Sequence, residues 1–221
     1  MRTRTTTAAA TALTAAVALL LTGCGGSDTA DKKDDDKIAG ADTGAGSGSA
    51  NPSASASADD IDRPEIKLPA DVKNVFEGGT TGDPAKDAVL ADNERMINSI
   101  DEAITVDADK HPALKFYSKD DALLAAATYV QSFYDAGTSW AGETRYYDRE
   151  VTLDGKTSAT MTYCGDETKS NSKDRKTKKV KQAPGSADDY VSYNARMKKN
   201  ATGVWQTVKV TSERGAEKCR P

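Results

Sequence analysis

Residues 144–164 read TRYYDREVTLDGKTSATMTYC, and this stretch decides the fold class. Polar and apolar side chains alternate on both sides of Asp154-Gly155, a dipeptide suited to the left-handed backbone of a two-residue hairpin turn. The pattern predicts strands over 144–153 and 156–164. Further on, Val191, Tyr193, Ala195 and Met197 alternate against polar neighbours, which predicts a strand over 189–199. It turns through 200–203 into a last strand over 204–212.

Before Trp140 the period is longer. Asp83-Pro84 pairs a capping acid with a proline at the first helical position. Behind it Val89, Leu90, Met96, Ile97, Ile100 and Ile104 fall on one stripe, predicting an amphipathic helix from 84 to about 106. A second helix is predicted from Ser118, with Asp121 as a relative of the capping box, to about 136, where Gly137 stops it. Val72, Val75 and Phe76 are expected in a short helical turn. Helices first and an antiparallel sheet afterwards make an α+β domain with helices on one sheet face.

The N-terminus carries an address. Arg2 and Arg4 precede the uncharged residues 8–21, the layout of a secretory signal peptide. This run is too short for a membrane span, which needs roughly 20 apolar residues. Leu21-Thr22-Gly23-Cys24 resembles the bacterial lipobox, whose cysteine is lipidated and becomes the new N-terminus; the alternative is an ordinary signal with an incidental cysteine. With Cys24 assigned to lipid, Cys164 and Cys219 remain as an even pair, and export permits a disulfide between them. His111 is the single histidine, so no clustered metal-ligand set is visible, and no cofactor is expected.

Residues 25–64 are mostly Gly, Ser, Ala and Asp, too poor in apolar side chains to offset ordering. The expected organisation is therefore a signal peptide over 1–23, lipidated Cys24 and a disordered tether over 24–64, and one domain over 65–221. That domain holds 25 acids and 24 bases. Its near-neutral balance gives no push toward nucleic acid.

The segments KFYSKDDALLAAATYVQSFYDAG (115–137), GETRYYDREVTLDGKTSATMTYCGDE (142–167) and GVWQTVKVTSERGAEKC (203–219) resemble actinobacterial exported lipoproteins of uncharacterised function with a nuclear transport factor two-like domain. The resemblance rests on Cys164-x-Asp166, Gly203-x-Trp205 and Cys219. It implies a cone-like domain in which helices pack on a curved antiparallel sheet of about four to six strands with one disulfide, and it carries no activity.

Such cones commonly hold a pocket, and some relatives are ketosteroid isomerases or polyketide cyclases. An enzyme of that type needs a tuned carboxylate or histidine inside the cone. His111, beside Pro112, reads as an exposed loop residue, and Asp148 with Glu150 reads as the wet face of a strand, so no catalytic residue is assigned. Tyr129, Phe133, Tyr146, Tyr163, Tyr193 and Trp205 are candidates to line a pocket for a small apolar molecule, against plain core packing. Asp166 is expected to bond local backbone amides. The run KSNSKDRKTKKVK (169–181) supplies Lys169, Lys173, Arg175, Lys176, Lys178, Lys179 and Lys181, expected to form a loop able to touch anionic lipid or wall polymer.

The functional expectation is a lipoprotein on the outer face of the cytoplasmic membrane, with a non-catalytic module for a small apolar ligand, an envelope component or a partner protein. Isomerase or cyclase chemistry and surface contact through 169–181 are the alternatives. Replacing Cys24 with alanine is expected to move the protein from the membrane fraction to the medium; retention at the membrane would remove the lipobox reading.

Overall fold

The computed structural model describes residues 61–106 and 111–221. The signal peptide, Cys24 and most of the expected tether lie outside the described residues. Among these residues the chain forms β1 (Val72–Phe76), α1 (Pro84–Thr105), α2 (Pro112–Tyr117), α3 (Asp120–Asp135), β2 (Thr138–Asp154), β3 (Ser158–Asp174), β4 (Val180–Lys181), β5 (Tyr190–Lys199) and β6 (Trp205–Arg214). The strand order is β1-β2-β3-β5-β6, with β4 added beside β3. This is an α+β architecture in which helices pack on one face of an open, curved sheet.

Helix α1 starts as its sequence dictates. The Asp83 carboxylate accepts from the backbone N–H of Ala85 at 2.8 Å and of Lys86 at 3.4 Å, satisfying donors that the first turn cannot pair internally. Val89, Leu90, Met96, Ile97 and Ile104 are buried on its inner stripe. Helix α3 buries only Ala122 and Ala126 completely, small residues that let it lie close to β6, α1 and β2.

Several expectations are corrected. Val72, Val75 and Phe76 belong to a strand, β1, which pairs in parallel with β2, so the sheet is mixed where an antiparallel one was expected. Both hairpin strands are longer than 144–153 and 156–164, because residues 138–143 pair with 169–174. Ser118 does not cap α3; it ends α2, bridges to Thr207 on β6, and leaves α3 to begin at Asp120. His111 immediately precedes α2 and is half-buried rather than exposed. The folded region also extends upstream of residue 65, since Ile61 packs on the main core and the Arg63 guanidinium donates to Asp92 at 2.6 Å.

The sheet is bent by irregularities in β2, between Glu143 and Arg145 and between Tyr147 and Glu150. Bulges of this kind increase local twist and curl a strand. Gly142 sits at the first with φ of +121°, and a Cβ there would collide with the Lys169 carbonyl oxygen. Side chains therefore sort into two populations. Tyr146, Val151, Met161, Tyr163, Ala195 and Met197 join the core beneath the helices. Cys164 packs instead with Cys219, Ala216, Tyr147 and Tyr190 on the opposite face.

Cys164 and Cys219 form a disulfide, with Cα atoms 5.5 Å apart and a sequence separation of 55. The bond staples the C-terminal turn under β3, and the Tyr147 hydroxyl donates to the Cys219 carbonyl oxygen. On the chain-entropy model a loop of this length contributes roughly 4 kcal/mol. The Cys164→Ala/Cys219→Ala double variant is expected to unfold in urea with a midpoint lowered by that order, while far-ultraviolet circular dichroism of the folded state is retained. An unchanged midpoint would show that the staple adds nothing to this fold.

Candidate functional site

Alternation along the strands aligns four aromatic rings on the concave face. Phe76 of β1 stacks on Tyr146 of β2 with centroids 5.1 Å apart, Tyr146 meets Tyr163 of β3 edge-on at 6.1 Å, and Tyr163 stacks on Tyr193 of β5 at 4.8 Å. Gly165 lies in register with both Tyr146 and Val191. A Cβ at this position would stand 3.1 Å from the Tyr193 ring and 3.6 Å from the Tyr146 ring. The two rings thus close over Gly165 and occupy the space that a side chain would need.

Charge gathers at the rim. Glu167, two residues along β3 from Gly165, pairs through Oε2 with Arg214 Nη2 of β6 at 2.8 Å. Its Oε1 accepts from the Tyr193 hydroxyl at 3.3 Å. The two side chains remain 22% and 51% exposed, so this end of the concave face is open to water. Tyr129 reaches the same place from α3. The residue is about half exposed, and its pKa is pushed up to about 12, by desolvation first and then by the charges of Glu167 and Asp101.

Deeper in, α1 contributes a carboxyl group. Asp101 is buried; its Oδ1 accepts from Trp140 Nε1 at 3.2 Å and its Oδ2 from Asn74 Nδ2 at 2.6 Å. Burial raises its pKa to about 7 despite these two hydrogen bonds, and the charge of Glu167 adds to the rise. Burial and the neighbouring Asp101 charge hold the Tyr146 phenol well above its usual value. Burial also lifts Tyr163 to about 12. The site therefore presents neutral hydroxyls and a carboxyl that changes charge near neutrality, set in an aromatic wall. The groups that water reaches, Glu167 and Arg214, can exchange hydrogen bonds with a polar molecule, while Asp101 is held inside by Asn74 and Trp140.

Tyr146 and Tyr163 are buried in the main core, Tyr193 is packed against it, and Tyr129 stands exposed at its edge. Phe133 instead packs beside Val72, Ile104 and Trp140, and Trp205 is 1% exposed within the main core, its backbone N–H donating to Asp92 at 2.8 Å. Asp148 and Glu150 are exposed and flank the second bulge. Asp166 accepts from the Thr168 N–H at 3.0 Å, as its place after Cys164 implied, and also meets Arg145 at 3.3 Å. The 169–181 run is not a simple loop. Residues 169–174 finish β3, Lys169 pairs with Glu143 at 3.3 Å, Lys173 pairs with Asp71 at 2.6 Å, and the Arg175 guanidinium lies over the Tyr134 ring.

Asp101, Asn74, Glu167 and Arg214 escaped the sequence reading. One signal was present: Asp101 follows Ile97 by four residues, placing an acid on the apolar stripe of α1. Glu167 and Arg214 lie 47 positions apart in the sequence and meet only through sheet pairing. Among the described residues no group of three or more acidic, histidine or cysteine side chains is arranged to hold a metal ion.

No protein-family model matches the chain, and no curated protein matches it by sequence. Solved structures similar to it include a ketosteroid isomerase-like protein from Erwinia carotovora atroseptica, at 16% identity and a TM-score of 0.40, covering 57% of this chain and 93% of that one. Another is the intermembrane space region of the chloroplast protein ARC6, at 10% identity and a TM-score of 0.36, covering 57% and 96%. Likeness at this level says nothing about activity or residue roles.

The Asp101 carboxyl generates a pH signature. Its folded pKa lies above the unfolded one, so the folded state keeps a proton that the unfolded chain releases as pH climbs from about 4 to about 7. Stability is therefore lost as pH rises through that window, by a total on the order of 4 kcal/mol. Asp101→Asn removes the titration, and the Asn74 amide, whose Oδ1 is buried without a partner among the described residues, can turn over to meet the new side chain. Melting temperature against pH is expected to show the wild type losing ground to Asp101→Asn between pH 4 and 7; parallel curves would exclude the raised pKa.

Proposed function

We propose that this chain is an exported, lipid-anchored protein whose domain holds a small ligand in the concave face without converting it. The observation that carries this reading is the solvent-exposed Glu167–Arg214 pair at the edge of a ladder of aromatic rings. An apolar or aromatic body would lie against Phe76, Tyr146, Tyr163 and Tyr193, and a polar end would exchange hydrogen bonds with Tyr129, Glu167 and Arg214. Apolar walls with a few placed polar groups are the usual composition of small-molecule sites. The Cys164–Cys219 bond supports an oxidising, extracytoplasmic address, and the lipobox-like Leu21–Cys24 supports attachment to the outer face of the cytoplasmic membrane, within actinobacterial lipoproteins of the kind it resembles.

One observation favours a second reading. A buried carboxyl with a pKa near 7 beside phenolic hydroxyls is the equipment of an isomerase- or cyclase-like proton transfer. The two readings part at Asp101: a receptor keeps its ligand in Asp101→Asn, and an enzyme keeps binding but loses turnover.

Native mass spectrometry of the full chain, purified from its exported fraction, is expected to show a co-purifying small molecule at one per chain. Arg214→Ala is expected to weaken that adduct by removing the exposed cation that would meet the polar end of the ligand, with circular dichroism confirming that the variant is folded. A wild-type protein that carries no adduct and binds no hydrophobic fluorescent probe would refute the ligand reading.

A further inference from the structure

The basic run divides into two groups once it is folded. Lys169, Lys173 and Arg175 are taken up by Glu143, by Asp71 and by the carbonyl of Ile104. The turn beyond them is built firmly. Asp174 Oδ1 accepts from the Thr177 N–H at 2.6 Å and from its hydroxyl at 2.8 Å. The Asp174 backbone exchanges hydrogen bonds of 2.9 Å with Lys178 and Lys179, and β4 pairs back onto Ser172 and Lys173. From this turn Lys176, Lys179 and Lys181 are exposed, with no salt bridge to a carboxylate among the described residues, although the charge of Lys176 acts on Asp174. Val180 stands among them, 41% exposed. A groove of about 320 Å³ runs alongside, walled by Thr138, Ser172, Lys179 and Lys181. The one acid on its lining, Asp174, is occupied in holding the turn.

Three cations on a rigid frame lose little freedom on contact, and their charge asks for phosphate. The exposed valine selects the source of that phosphate. A soluble polyanion gains nothing from an apolar tip between the charges, whereas a bilayer surface accepts lysines among its headgroups and an apolar side chain just beneath them. We propose that the β3–β4 turn is a contact for anionic lipid headgroups, with Lys176, Lys179 and Lys181 on the phosphates and Val180 entering the interface. The proposal stands apart from the ligand reading and from lipidation of Cys24, and its test is independent of both.

The experiment uses the full chain carrying Cys24→Ala, mixed with vesicles of phosphatidylcholine alone or containing phosphatidylglycerol, and follows lysine acylation by peptide mass. Acylation of Lys176, Lys179 and Lys181 is expected to slow on the anionic vesicles only, with Lys198 and Lys199 unchanged and the protection lost at high salt. Replacing the three lysines with glutamine is expected to weaken the anion-dependent part of binding on the order of 100-fold, at about 1 kcal/mol per lysine. Val180→Ser is expected to weaken it further without changing the salt dependence. Equal acylation on both vesicle types would overturn the proposal, as would an unaffected Val180→Ser. Protection by soluble polyphosphate but not by vesicles would assign the turn to a polymer and equally overturn it.

Discussion

The curvature of the β2–β3 hairpin is the constraint on which the rest of the structure depends. Two strands of 17 residues each would extend past any helix among the described residues if they ran straight. The bulges in β2 bend them into a trough instead, and Gly142 makes the first bend possible because its missing Cβ leaves space for the Lys169 carbonyl. The residue at the second bend, Asp148, takes a φ of +49°, a conformation that aspartate tolerates better than most side chains. A concave face results, and α1 and α3 lie in it.

A buried carboxylate then closes one end of the trough. Asp92 of α1, 1% exposed, accepts from Arg63 at 2.6 Å, from Arg95 at 2.9 Å and from the backbone N–H of Trp205 at 2.8 Å. It joins the entering chain, the long helix and the last strand at one point. Removing one partner from such a group leaves charge or donors buried without compensation, which costs far more than the intact cluster contributes. Trp205 is held in the core by this node, which is why it does not reach the open rim.

The disulfide and the candidate site lie on opposite faces of β3 because neighbours in a strand point to opposite sides. Cys164 faces the C-terminal turn, while Tyr163 and Gly165 on either side of it face the helices. Stability is thus added without occupying the concavity. The polar groups of the concavity are graded by depth: Glu167 and Arg214 stay in water at the rim, and Asp101 is desolvated below them. Desolvation therefore acts on the deeper carboxyl and raises its pKa.

Much of the local structure was legible in the sequence. Asp83-Pro84 and the apolar stripe behind it define α1, Asp154-Gly155 defines the hairpin, and the alternation around Tyr193 defines β5, because caps, turns and periodicity act over a few residues. The polar ends of the hairpin carry no comparable alternation; residues 138–143 and 169–174 become strand through pairing with each other. Val72, Val75 and Phe76 become a strand because β2, about seventy positions later, offers an edge. Likewise the tyrosines were visible as a group, and Asp101 was visible as an acid on an apolar stripe. Which rings face inward, that Glu167 meets Arg214, and that Asp101 loses its water are consequences of sheet register and bending. The sequence by itself determined α1, the hairpin turn, β5, the paired cysteines and the pattern of an export signal, since each is written in neighbouring residues or in a count. Only the tertiary structure decided the site, because burial and long-range register, not spacing, set which charges share a space and how strongly water screens them.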